Sequence, residues 1–261
     1  FTGTGTFIVG TKELAIIDPG PIDDDHLKAI IKTSGKNKIS HIIVTHTHND
    51  HSPLSKPLQE ITGAPIYSYF NEAMDTKTNN QFEEGYDNSF KPDVIVKDGD
   101  LIKGFDWTLE AIHTPGHTSN HMCYSLLEEK ILFSGDHVMG WSTTVIVPPD
   151  GDMDEYLKSL EKLLDRNDNI YLPTHGTQID NPHDLVNKYI EHRINREEQI
   201  IKAIKSGNFK INEMVKIIYS DVDPGLHPAA SMSTLAHLNR MVKNKIIKVD
   251  GQGLKADYSI V

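Results

Sequence analysis

The stretch "HIIVTHTHNDHS", His41 to Ser52, constrains this chain more than any other part of it. Its β-branched start reads as a buried strand closed by polar residues. In an extended chain, residues two apart point to the same side. His46 and His48 therefore face one way together. Asp50 and His51 follow where the backbone turns, and the pattern predicts a helix start there. A strand end and a helix start can aim these four side chains at one small volume. Taken singly, Asp50 reads as a helix N-cap and a lone histidine as a packing residue. The spacing H-x-H-x-D-H directly after an apolar run points instead to metal ligation.

Three later apolar runs end on the same residue types. "LEAIHTPGH" delivers His117 after a Pro-Gly turn, "ILFSGD" delivers Asp136, and "IYLPTHG" delivers His175. Five imidazoles and two carboxylates are too many ligands for one tetrahedral ion. Shared between two ions they fit, with Asp136 placed to bridge. Imidazole with carboxylate and no thiolate suits zinc, and also iron or manganese. The expected cofactor is thus two divalent metal ions, zinc first. His113 and His121 flank the "TPGH" turn and are candidates for orienting ligands rather than binding metal. His26, His41, His183, His192 and His237 read as surface or packing residues.

The chain around these motifs has two textures. The first part alternates strand-length runs ("TFIVG", "LAIIDPG", "HIIVTH", "DVIV", "WTLEAIHTPG", "HMCYSLL", "KILFSGD", "NIYLPTHG") with polar loops and two helical patterns, "DDDHLKAIIKTSG" and "MDEYLKSLEKLLDR". The second helix has Asp152 or Asp154 as its N-cap. From about residue 183 a long helical pattern ends at Gly207, followed by "INEMVKIIYSDV", "HPAASMSTLAHLNRMVKNK" and a hairpin around Gly251 and Gly253. Helix, helix, two-stranded wing is the order of a winged helix. The expected division is 1–182 and 183–261. The 261 residues, 38% hydrophobic, suffice for such a pair, and no stretch reaches the length of a membrane span. A single cysteine, Cys123, excludes an internal disulfide and fits a reducing, cytoplasmic location. The sequence begins at Phe1 inside "FTGTGTFIVG", which already reads as a strand, so an upstream segment stays open. A net charge of −11 makes nucleic acid and anionic membrane poor partners by default.

In "THTHNDH", "TPGHTSNH", "SGD" and "PTHG", in that order, the chain resembles the metallo-beta-lactamase superfamily. The resemblance covers nearly all of it. "IIDPG" is similar to the family's first motif, whose aspartate, here Asp18, supports the site from behind the ligands. The implied fold is an α/β αββα sandwich with metals at one sheet edge. By the resemblance one metal takes His46, His48 and His117, and the other takes Asp50, His51 and His175. Asp136 and a hydroxide lie between them. "GDHVMGWSTTVI" and "IEHRINREEQI", ahead of a winged helix, resemble the beta-lactamase-like protein 2 group and, more broadly, glyoxalase II-like hydrolases. Two departures stand out. Class B beta-lactamases commonly use a cysteine ligand where Asp136 stands here, which argues against antibiotic hydrolysis. Thr174 replaces the usual glycine beside His175.

Two metals acidify a bound water and polarise a carbonyl or phosphoryl oxygen. Esters, thioesters, lactones and phosphodiesters are all within reach of that chemistry. The first expectation is a small-molecule hydrolase with Asp50 and Asp136 as catalytic carboxylates and Trp141, with Thr143 and Thr144, lining the pocket. The second is an endoribonuclease using Arg193, Arg196, Arg240, Lys243, Lys245 and Lys248 as phosphate contacts. The third, from another class, is a mononuclear iron persulfide dioxygenase in which Asp50, His51 and His175 only hydrogen-bond. A non-enzymatic winged-helix DNA binder leaves the ligands unexplained. The oligomeric state has no signature in the chain.

Overall fold

The computed structural model describes residues 3–70 and 85–261. Two five-stranded sheets lie face to face. The first runs β1 (Phe7–Val9), β2 (Glu13–Ile17), β3 (Lys38–Ile43), β4 (Ile66–Ser68), β5 (Val94–Ile95), in that order. The second comprises β6 (Leu101–Lys103), β7 (Thr108–His113), β8 (Met122–Leu126), β9 (Ile131–Gly135) and β10 (Ile170–Pro173), ordered β10-β9-β8-β7-β6. β2 to β5 are parallel, as is the β10–β9 pair, and the remaining pairs are antiparallel.

Strand alternation divides the apolar side chains into layers. Ala15 and Ile17 of β2, Leu109 and Ala111 of β7, Met122 and Tyr124 of β8 and Phe133 of β9 fill the space between the sheets. Their neighbours point outward. Leu14, Ile16 and Ile42 pack under α1 (Asp24–Ser34) and α2 (Ser55–Thr62). Ile112, Cys123 and Leu132 pack under α3 (Met153–Leu164) and the start of α4 (Pro182–Lys205). This is the αββα sandwich. Both faces of the sheets are covered, which is why the strands read as continuous apolar runs.

The helices start as the residues dictate. Asp23 caps α1 and Asp152 caps α3, each accepting two backbone N–H bonds. Asp154, the other candidate cap, is instead an ion-pair partner of Lys158, Lys243 and Arg240. The expected helix at Asp50 and His51 begins later, at Ser55, and both residues lie in the preceding turn. Of "FTGTGTFIVG" only Phe7–Val9 is strand, and Phe1 and Thr2 lie outside the described residues.

After α4 come α5 (Ile211–Ile218), α6 (His227–Lys243) and the hairpin of β11 (Ile247–Asp250) and β12 (Asp257–Ile260). Leu235, Leu238 and Met241 of α6 bury against Ile200 and Ile204 of α4, Met214 of α5 and Tyr258 of the hairpin. Leu238 is fully buried there. Leu238→Ala is expected to destabilise this part by about 2–5 kcal/mol, through lost transfer energy and the cavity left behind. Urea denaturation checks it, and a midpoint unchanged from the parent would contradict this packing. No described helix is long and apolar enough to cross a membrane.

Candidate metal centre

The seven side chains come from four chain segments that all leave their strands at one edge of the sandwich. β3 ends three residues before His46, β7 four before His117, β9 one before Asp136 and β10 two before His175. Six of the seven are buried and Asp50 is nearly so. Their ligand-type atoms form three overlapping groups: His46, His48 and His117; His46, His51 and Asp136; and Asp50, His51 and His175, each within 4.8 Å. Asp136 lies between the outer groups, 3.8 Å from His117 Nε2, 3.6 Å from His51 Nε2 and 3.4 Å from His175 Nε2.

Hydrogen bonds behind the rings decide which nitrogens face inward. His117 Nδ1 donates to the Val145 carbonyl at 2.7 Å, and His175 Nδ1 donates to the Gly3 carbonyl at 3.1 Å. Carbonyls only accept, so each ring holds its proton there and aims Nε2 at the centre. Asp18 does the same for two more. Its carboxylate accepts from the Thr45 N–H and hydroxyl, both at 2.7 Å, and from His51 Nδ1 at 3.0 Å. The Thr45 hydroxyl, its proton committed to Asp18, accepts from His46 Nδ1 at 3.0 Å. His121 takes the Asp136 backbone N–H on Nε2 at 3.1 Å, while its Nδ1 meets the Thr114 hydroxyl. His113 faces elsewhere: it stacks on Tyr69 and bonds the Ser119 carbonyl.

In the first group, His48 Nδ1 lies 3.0 Å from His46 Nε2 and 3.1 Å from His117 Nε2. Nitrogens held about 2.0–2.1 Å from one tetrahedral zinc sit about 3.3 Å apart, so this triangle is close to that size. Burial pulls all three imidazoles down, His48 to about 3, with the neighbouring rings adding to the effect for His46 and His48. They are therefore neutral, the form that binds metal. In the second group, burial opposes charge, but the carboxylates outweigh it. Asp136 and Asp50 push His175 up to about 10, and Asp136 with Asp18 raises His51 well above its usual value. Burial likewise opposes ionisation of Asp50 and Asp136, yet His51 and His175, through charge and close approach, hold both low. A cation there would take the place of the Nε2 protons. Of the atoms facing the centre, His51 Nε2 and Asp136 Oδ1 are buried without a hydrogen bond of good geometry among the described residues. Donor set, spacing and these orphaned atoms fit a pair of divalent ions.

Several contributors have no signature in the sequence. The Thr4 hydroxyl donates to Asp50 Oδ2 at 2.9 Å, and the Gly3 and Val145 carbonyls orient two rings. Any residue carries a carbonyl, so no motif marks these. Trp141 is 59% exposed, on the segment between Asp136 and Val145. Of the six cations expected to meet phosphate, four are engaged internally. Arg193 is buried against the Thr144 carbonyl, and Arg196 stacks on Tyr219. Arg240 pairs with Glu197 and Lys243 with Asp154.

The profile of the Metallo-beta-lactamase superfamily matches residues 2–175, and that of the Beta-lactamase associated winged helix domain matches residues 211–255. The chain belongs to the metallo-beta-lactamase superfamily. It is 30% identical to a Beta-lactamase-like protein 2 homolog of Caenorhabditis elegans, over 94% of this chain and 81% of that one. It is also 30% identical to an Atrochrysone carboxyl ACP thioesterase of Aspergillus chevalieri, over 84% of this chain and 69% of that one. In fold it matches a metallo-beta-lactamase family protein of Thermus thermophilus with a TM-score of 0.80 at 19% identity, covering 99% of this chain and 94% of the other.

Proposed function

We propose that this chain is a dinuclear zinc hydrolase of an ester, thioester or related small-molecule bond. The observation that carries the reading is the pair of buried ligand groups with Asp136 between them. When bound, two such ions acidify a water and polarise the substrate carbonyl. The remaining tasks fall to the chain. Asp136 sets the spacing of the two groups. Asp50, tied by Thr4, is placed to orient a water or hydroxide through a carboxylate oxygen. Trp141, exposed on the segment that follows Asp136, is the candidate for an apolar contact with substrate. Zinc suits a centre of five imidazoles and two carboxylates, although iron and manganese take the same donors. Residues 1–182 carry the chemistry and 183–261 form the appended part.

The thioesterase named among the relatives supports a thioester or ester substrate. The internal engagement of Arg193, Arg196, Arg240 and Lys243 speaks against an RNA track, as does the acidic chain. The dioxygenase alternative uses one ligand group and leaves the equally convergent second group without a metal. The test offers a thioester and ester panel and single-stranded RNA to the intact protein, to Asp136→Ala, and to a Lys243/Lys245/Lys248 charge-removal variant. Thioester or ester turnover that Asp136→Ala loses and charge removal spares is the expected result. RNA cleavage that needs metal, and falls both with charge removal and with salt, would replace this reading by the ribonuclease. A single bound iron with oxygen consumption would replace it by the dioxygenase.

A further inference from the structure

Arg193 is a buried guanidinium on α4, 3% exposed, packed against the buried Tyr156 of α3. Among the described residues no carboxylate lies within ion-pair distance of it, and its Nε has no hydrogen-bond partner. An uncompensated buried charge is expensive to keep. Two contacts hold it. It lies over the Tyr156 ring at 5.3 Å, and its Nη2 donates to the Thr144 carbonyl. Thr144 is also buried and makes a second connection. Its hydroxyl donates to the Asp136 carbonyl at 2.5 Å. The next carbonyl in the chain, that of Val145, accepts from His117 Nδ1. One turn earlier on α4, the Tyr189 hydroxyl bonds the Met139 and Ser142 carbonyls, each at 2.7 Å. Helix α4 thus grips the segment 139–145 at three carbonyls. That segment in turn holds the backbone of Asp136 and the ring of His117.

We propose that Arg193 is a positioning residue for the metal centre, acting through Thr144 and Val145 on Asp136 and His117. The proposal rests on the metal-centre reading above. Its physical content is that the His117 ring takes its direction from a loop carbonyl, and that the loop takes its place from α4. The helix that leads into the C-terminal part therefore belongs to the support of the centre. The same helix carries Glu197, one turn beyond Arg193, which pairs with Arg240 and His237 of α6. Those contacts join α4 to α6 without touching segment 139–145, and they supply a control.

The experiment loads the full chain with cobalt, whose visible absorption reports ligand geometry, and measures affinity by chelator competition. It compares the parent with Arg193→Met, Arg193→Lys, Thr144→Val and Arg240→Gln, and follows each fold by circular dichroism and thermal melting. Arg193→Met and Thr144→Val are expected to change the cobalt spectrum and to weaken retention about 10- to 100-fold, as loss of support behind a ligand does. Arg193→Lys should recover part of both. Arg240→Gln should lower the melting temperature and leave the spectrum alone. Should Arg193→Met fail to fold, Thr144→Val decides, since it removes one hydroxyl at nearly constant shape. Folded variants at Arg193 or Thr144 with parental spectrum and affinity would overturn the proposal, whatever their melting temperatures. A parent that binds two cobalt ions but hydrolyses nothing would instead overturn the hydrolase reading and leave this one standing. A parent that takes up no cobalt overturns both.

Discussion

Asp136→Ala is expected to abolish turnover, by about 1,000-fold or more, while the fold survives. A loss of that size corresponds to about 4 kcal/mol of transition-state stabilisation. The fold survives because what Asp136 gives to the structure is backbone: its N–H goes to His121 and its carbonyl accepts from Thr144. Alanine keeps both. What alanine removes is the carboxylate standing between His117 on one side and His51 and His175 on the other. Bound zinc, measured by elemental analysis, should fall from two equivalents towards one. Asp136→Asn, which keeps the shape and loses the charge, should behave alike. The control is the exposed His192, whose replacement by alanine should leave turnover within about twofold, as surface changes away from a site do. Equal losses in the two variants would mean that the wrong histidines and carboxylates have been placed in the centre.

Stripping the protein with a chelator should lower its melting temperature as well as its activity, and zinc should restore both. A ligand that binds only the folded state stabilises it by about 4 kcal/mol at 1,000 times its dissociation constant. Here the effect has a structural cause. Without metal, His46, His48 and His117 crowd neutral nitrogens about 3 Å apart in a buried place, and His51 and His175 carry protons between carboxylates. Calorimetry at rising zinc concentrations reads the melting temperature directly. A transition that zinc and chelator leave unmoved would mean that the cluster holds no metal that matters to the fold.

The ligand-type residues were legible because their placement is local. An apolar run that ends in His-x-His needs nothing but the two-residue repeat of a strand to aim both rings one way, and the same holds for single residues one to four positions beyond β7, β9 and β10. The sandwich was legible for the same reason, since runs such as "LAII" and "HIIV" need both faces covered. Two short strands, β4 and β6, were not, although β1 and β5, no longer than these, lay within the runs "TFIVG" and "DVIV".

What the tertiary structure alone decided was the company each residue keeps. His48 and His117 stand 69 positions apart in the chain and 3.1 Å apart in space. The Gly3 and Val145 carbonyls fix two ring tautomers, and a carbonyl has no residue signature. Arg193 and Arg240 read as candidate phosphate contacts, because a helical pattern of charge does not say what faces it. Folding buried Arg193 against the Tyr156 ring and the Thr144 carbonyl and set Arg240 against Glu197. The residues capable of the chemistry are therefore a property of the sequence, whereas their protonation, direction and support arise from contacts between segments far apart along the chain.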